Sequence, residues 1–74
     1  MCGIIGINSN KPVSATIINS LKKLEYRGYD SAGIATLSNG LINEIKSEGR
    51  VDNLENNFDL KNLKGNIGIG HVRW

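Results

Sequence analysis

The stretch Gly33-Ile34-Ala35-Thr36-Leu37-Ser38-Asn39-Gly40-Leu41-Ile42-Asn43-Glu44-Ile45 consists of two extended runs meeting at Asn39-Gly40. Both residues of that pair tolerate positive φ, which a two-residue hairpin turn demands. Residues 33–47 are therefore predicted to form an antiparallel hairpin, and the rest of the chain is read outward from it.

Downstream, Gly49 ends the hairpin, and Asp52 with Glu55 three residues on reads as an acidic variant of the capping box. It would open a short helix carrying Leu54 and Phe58. From residue 66 to 72, Ile67, Ile69 and His71 alternate with Gly68 and Gly70, a strand whose glycine face admits close approach of another backbone. Upstream, Gly28 reads as a helix stop. The helix before it would be capped by Ser14 and carry Ile17, Ile18, Leu21 and Leu24 on one face. Ser9-Asn10-Lys11-Pro12 is a turn, and residues 3–8 read as a short buried strand with Cys2 at its beginning. Strand, helix, hairpin, short helix and strand together make an α+β chain. A final strand without a partner leaves backbone groups unpaired, so the chain reads as unfinished.

Composition narrows the function classes. Seventy-four residues make at most one small domain, one that buries only about 60% of its unfolded surface. A single cysteine rules out an internal disulfide or a cysteine-based zinc cluster and suits a reducing, cytoplasmic setting. No apolar run is long enough to span a membrane. The net charge is only +2 and Lys22-Lys23 is the one adjacent basic pair, so the basic stripe and stacking aromatics of a nucleic-acid surface are missing. No nucleic-acid or membrane partner is expected. The glycines of 3–6 and 65–70 match neither a dinucleotide fingerprint nor a P-loop, and no cofactor is expected. His71 lacks a second ligand at metal-binding spacing; it reads as structural.

Three places could carry chemistry. If Met1 is removed, Cys2 offers a thiol and a free α-amine on one residue. Their ordinary pKa values, about 8.5 and about 7.7–8.0, are close enough for proton transfer between them at neutral pH. The plain alternative is a small hydrophobe packed in a strand. The octad Tyr26-Arg27-Gly28-Tyr29-Asp30-Ser31-Ala32-Gly33 joins two aromatics, an opposite-charge pair and two glycines where helix gives way to strand. It is either a surface helix stop or a loop whose backbone near Gly28 can approach the N-terminus. Arg73 ends the last strand beside Trp74. It could grip a carboxylate in bidentate fashion or simply pack along the indole.

Taken together, Met-Cys-Gly-Ile-Ile-Gly at the start, Leu24 to Gly33 in the middle and Gly70-His71-Val72-Arg73-Trp74 at the end resemble the class II glutamine amidotransferases over the whole chain. The octad has the form typical of the branch that works on sugar phosphates. The resemblance implies the N-terminal-nucleophile hydrolase fold, an αββα sandwich of two antiparallel sheets between helix layers, incomplete in this chain. It implies a glutamine substrate and a catalytic group of Cys2, Arg27 and Gly28, with Gly28 orienting the terminal amine. Arg73 and Trp74 would bind substrate, Arg73 holding the glutamine α-carboxylate and Trp74 helping to gate ammonia. It also implies a parent enzyme that is a homo-oligomer.

The chain departs from the family in two ways. Val72 stands where the family usually has Thr, removing a hydroxyl beside Arg73. Residues 1–74 would be a partial glutaminase domain, without the following Thr-His-Gly, the Asn-Gly of the oxyanion hole, the acid that reads the glutamine amine, or the sugar-phosphate isomerase domains. A missing C-terminal portion or a second chain would have to supply them, and the chain alone is expected to be inactive. The alternative is a non-catalytic remnant or small interaction module.

Overall fold

In the computed structural model, the structure describes residues 2–28, 30–57 and 63–74, apart from the side chains of Arg27 and Asn57. Strands β1 (Gly3–Asn8), β2 (Ser31–Ser38), β3 (Leu41–Glu48) and β4 (Ile67–Arg73) form one antiparallel sheet in the order β1-β4-β2-β3. Helix α1 (Ser14–Leu24) covers one face and passes through a 3₁₀ turn, Glu25–Arg27, into Gly28. A shorter helix, α2 (Asp52–Asn57), follows β3. No helix among the described residues is long and apolar enough to cross a membrane.

The hairpin forms as the Asn-Gly signal requires. Asn39 and Gly40 both take positive φ, 53° and 77°, and Ser38 pairs with Leu41 across the turn. Strand β2 begins at Ser31, two residues earlier than the pattern suggested, because β4 pairs with it from Ser31 to Leu37. Phe58, expected on the short helix, lies outside the described residues.

Five expectations need correction. The final strand is not left without a partner, because β4 lies inside the sheet, paired with β1 on one side and β2 on the other. Ser14 does not cap α1. Val13 occupies the cap position without a side-chain bond, its own N–H donating to the Gly65 carbonyl (3.1 Å) while its side chain joins the core. Asp52 is likewise the first helical residue of α2 rather than its cap. Asp52 and Glu55 instead face α1, where Lys22 pairs with both, Asp52 at 3.5 Å. Strand β1 is not buried on both sides: it is a sheet edge with alternating exposure, and Ile4 is 79% exposed. Finally, the glycine face of β4 receives chiefly the side chains of α1, with another backbone close only at Gly68, where a methyl would lie 3.0 Å from the Ala35 carbonyl oxygen. A methyl on Gly70 would stand 2.5 Å from Ile17 Cγ2 and 3.1 Å from Leu21 Cδ1, and one on Gly68 would stand 2.8 Å from Ile17 Cδ1.

The core lies between α1 and this face of the sheet. Val13, Ile17, Ile18 and Leu21 meet Ala32, Ile34 and Val72, with Val51, Leu54 and Leu63 closing one side. Nothing among the described residues covers the opposite face. Ile4, Leu37, Ile42, Ile67 and Ile69 are exposed there, Ile42 by 74% and Ile69 by 59%. Among the described residues there is one sheet, where a sandwich stacks two.

Candidate functional site

Strand register decides what comes together at one end of the sheet. Gly3 pairs with Val72 and Ser31 with Arg73. Cys2, one residue before the β1–β4 ladder, therefore falls at the end of the sheet where Arg73 closes β4. Side chains alternate along a strand. Gly3 faces α1, since a methyl there would lie 2.9 Å from Leu24 Cδ1, whereas Ile4 is exposed on the open face. Cys2 shares the parity of Ile4, as Arg73 shares that of Ile69 and His71. Continued one residue beyond the ladder, that alternation would place the thiol on the same, open face as the guanidinium. Cys2 is exposed and unbonded, so it is not the packed hydrophobe of the plain reading.

The octad reaches the same corner. Gly28 ends the 3₁₀ turn with φ 118° and ψ 162°, a conformation essentially restricted to glycine. Its N–H donates to the Glu25 carbonyl at 2.9 Å. The indole of Trp74 packs directly against it: a methyl on Gly28 would be 2.5 Å from Trp74 Cδ2. Beyond, the Asp30 N–H donates to the Arg73 carbonyl at 2.6 Å, fastening the octad to the end of β4. Cys2, Gly28, Arg73 and Trp74 are therefore gathered at one end of the molecule. For Arg27 only the backbone is described, within the 3₁₀ turn, and Met1 lies outside the described residues.

Val72 points the other way. It is buried in the core, so replacing a threonine there removes a hydroxyl from the side of the sheet opposite to Arg73. His71 lies on the open face over Gly33: a methyl there would be 2.5 Å from Nε2.

Sequence reasoning missed Glu25. It is 8% exposed, and its carboxylate accepts the Val51 N–H at 2.5 Å and approaches Arg50 Nη2 at 3.5 Å. A second tie, from the Gly49 N–H to the Asp30 carbonyl at 2.8 Å, fixes the same bend to the octad beyond Gly28. One signal was available. An acid just past the C-terminus of a helix sits at the unfavourable end of its dipole, which calls for a partner elsewhere.

What these residues can do chemically is limited and definite. A solvent-open thiol can attack an electrophilic carbon, and a guanidinium at the same end of the sheet can hold a carboxylate. No group of three or more metal-ligating side chains occurs among the described residues.

No family model matches the chain. Curated relatives do, over all 74 residues: the glutamine–fructose-6-phosphate aminotransferases (isomerizing) of Bartonella henselae and Clostridium acetobutylicum, each 54% identical, and that of Brucella abortus, 55% identical. The chain spans 12% of the length of each. Among solved structures, the glutamine phosphoribosylpyrophosphate amidotransferase of B. subtilis, complexed with ADP and GMP, superposes with a TM-score of 0.89 at 27% identity. That match covers the whole of this chain and 16% of the other. In sequence the chain is thus similar to the N-terminal part of glutamine–fructose-6-phosphate aminotransferases, and its fold matches the N-terminal part of an N-terminal-nucleophile glutamine amidotransferase.

Proposed function

We propose that residues 1–74 form the nucleophile-bearing part of a glutaminase domain, in an enzyme that moves ammonia from glutamine to fructose 6-phosphate and yields glucosamine 6-phosphate. The observation that carries this reading is the exposed Cys2 just before β1, at the same end of the sheet as Arg73.

In this reading Met1 is removed and the Cys2 thiol gives its proton to its own α-amine. The sulfur attacks the side-chain amide carbon of glutamine and forms a tetrahedral intermediate. The C–N bond then breaks, the amine returns a proton to the leaving nitrogen, and ammonia departs from a γ-glutamyl thioester. Water hydrolyses the thioester to glutamate and restores the thiol. Arg73 holds the glutamine α-carboxylate, and Trp74 borders the path of ammonia. Arg27 and the backbone of Gly28 orient the terminal amine. No cofactor is needed, and the free thiol suits a reducing cytoplasm.

The Asn-Gly that the family resemblance assigns to the oxyanion hole does not occur among residues 41–74, and one such donor is worth about 10²–10³ in rate. The bare apolar face supports the same view, since in a sandwich a second sheet would lie on it. Within an oligomeric enzyme the remaining polypeptide would provide both.

Two measurements test the proposal. The isolated chain should hydrolyse glutamine no faster than its Cys2→Ala variant, and mass spectrometry should find Cys2 at its N-terminus; retained Met1 would remove the amine from the mechanism. The chain should also replace the matching 74 residues of the Bartonella henselae enzyme and sustain glucosamine 6-phosphate formation, with Cys2→Ala lowering it about a thousandfold or more. A chimera that makes no product would favour the non-catalytic module.

A further inference from the structure

Glu25 is the one buried carboxylate among the described residues, and the proposed chemistry does not use it. Its surroundings give it a task. The carboxylate accepts the Val51 N–H (2.5 Å) and pairs with Arg50 (3.5 Å), gripping the bend that follows β3. Its own backbone carbonyl accepts the Gly28 N–H. The same bend is held on the far side of Gly28 by the bond from Gly49 to Asp30, and Asp30 in turn donates to the carbonyl of Arg73. Gly28 is thus clamped between two attachments to one short segment, and the indole of Trp74 rests on the clamped residue. Release of the Glu25 attachment would let the 3₁₀ turn drift from the bend, and the seat of Trp74 would drift with it.

We propose that Glu25 is a positioning residue for the glutamine site. It touches no substrate. It acts through the 49–51 bend and Gly28 to fix Trp74 and, through Asp30, the main chain of Arg73. This inference rests on the proposed function for the identity of the ligand, but not for the clamp itself.

Two experiments separate these levels. Trp74 is the chain's single tryptophan, so time-resolved fluorescence anisotropy of the 74-residue chain reports its immobilisation directly. Glu25→Ala should add a fast depolarising component absent from the parent. Glu25→Asp keeps the charge but falls one methylene short of Val51; it should do the same and covers the case in which the alanine variant does not fold. Glu25→Gln keeps an acceptor for the Val51 N–H and should restore most of the immobilisation. A Trp74 as rigid in folded Glu25→Asp as in the parent overturns the proposal.

In the chimera with the Bartonella henselae enzyme, Glu25→Ala should raise KM for glutamine about tenfold, with Glu25→Gln recovering most of it. A side chain that merely stabilised the fold would lower the amount of active enzyme and leave KM unchanged, and that result also overturns positioning. An inactive parent chimera would count against the proposed function, and the clamp would then stand or fall on Trp74 alone.

Discussion

Gly28 and Gly40 both adopt positive φ, yet the cost of a side chain differs between them. At Gly40 no atom lies within 4 Å of where a methyl would sit, so Gly40→Ala adds only backbone strain. It should cost about 1 kcal/mol in urea denaturation. At Gly28 the backbone strain alone is about 1–3 kcal/mol, and the methyl would also drive into the indole of Trp74. Gly28→Ala should therefore cost clearly more than Gly40→Ala and shift the fluorescence of Trp74; equal costs would show that the indole yields freely. Cys2, Gly28, Arg73 and Trp74 could be named as candidates from residue type and motif, because chemistry restricts which residues can serve. Glu25 could not, because its importance depends on Val51 and Arg50, which lie 25 residues or more away along the chain.

The elements follow from local pattern, and the corrections all come from what lies across from them. The spacing of Ile17, Ile18, Leu21 and Leu24 fixed the buried stripe of α1, but only the sheet reveals that Gly68 and Gly70 form the groove receiving it. Gly70→Ala should thus destabilise by overpacking, about 1–3 kcal/mol, and pairing it with Ile17→Val should recover part of the loss in a double-mutant cycle. Helices α1 and α2 are joined on their solvent side by Lys22. Its hydrogen bond to Glu55, aided by the charges of Glu55 and Asp52, raises its pKa above the ordinary 10.5. A raised lysine stabilises the fold in full below its unfolded pKa and loses that contribution as pH climbs through the folded value. The stability gap between the parent and Lys22→Met should accordingly stay constant from neutral pH to about 10, close above it, and shrink with added salt. A gap that closed in acid well above the carboxylate range would contradict this assignment.

At the scale of the molecule, one layer of helix covers one side of one sheet, and the other side presents Ile4, Leu37, Ile42, Ile67 and Ile69 to water. An apolar surface of this kind binds hydrophobic dyes and promotes association. The isolated chain should enhance 8-anilinonaphthalene-1-sulfonate fluorescence, and Ile69→Lys, at the centre of that face, should weaken the enhancement without altering the far-UV circular dichroism. The α+β class was legible in the sequence, since element type depends on near neighbours. The sheet order was not, because β4 could be placed between β1 and β2 only by pairings that span most of the chain.

That insertion also sets an order in time. Strand β3 can pair with β2 as soon as Asn39-Gly40 turns, whereas β1, whose only partner among the described residues is β4, must wait for residues some sixty positions later. Closing so long a loop is slow compared with forming a hairpin. Pulse-labelling during refolding should find the amides of β2 and β3 protected before those of β1. On a ribosome the first strand made would be the last one seated, so Cys2 would emerge early, remain unanchored, and reach its place beside Arg73 only once the sheet had been completed around it.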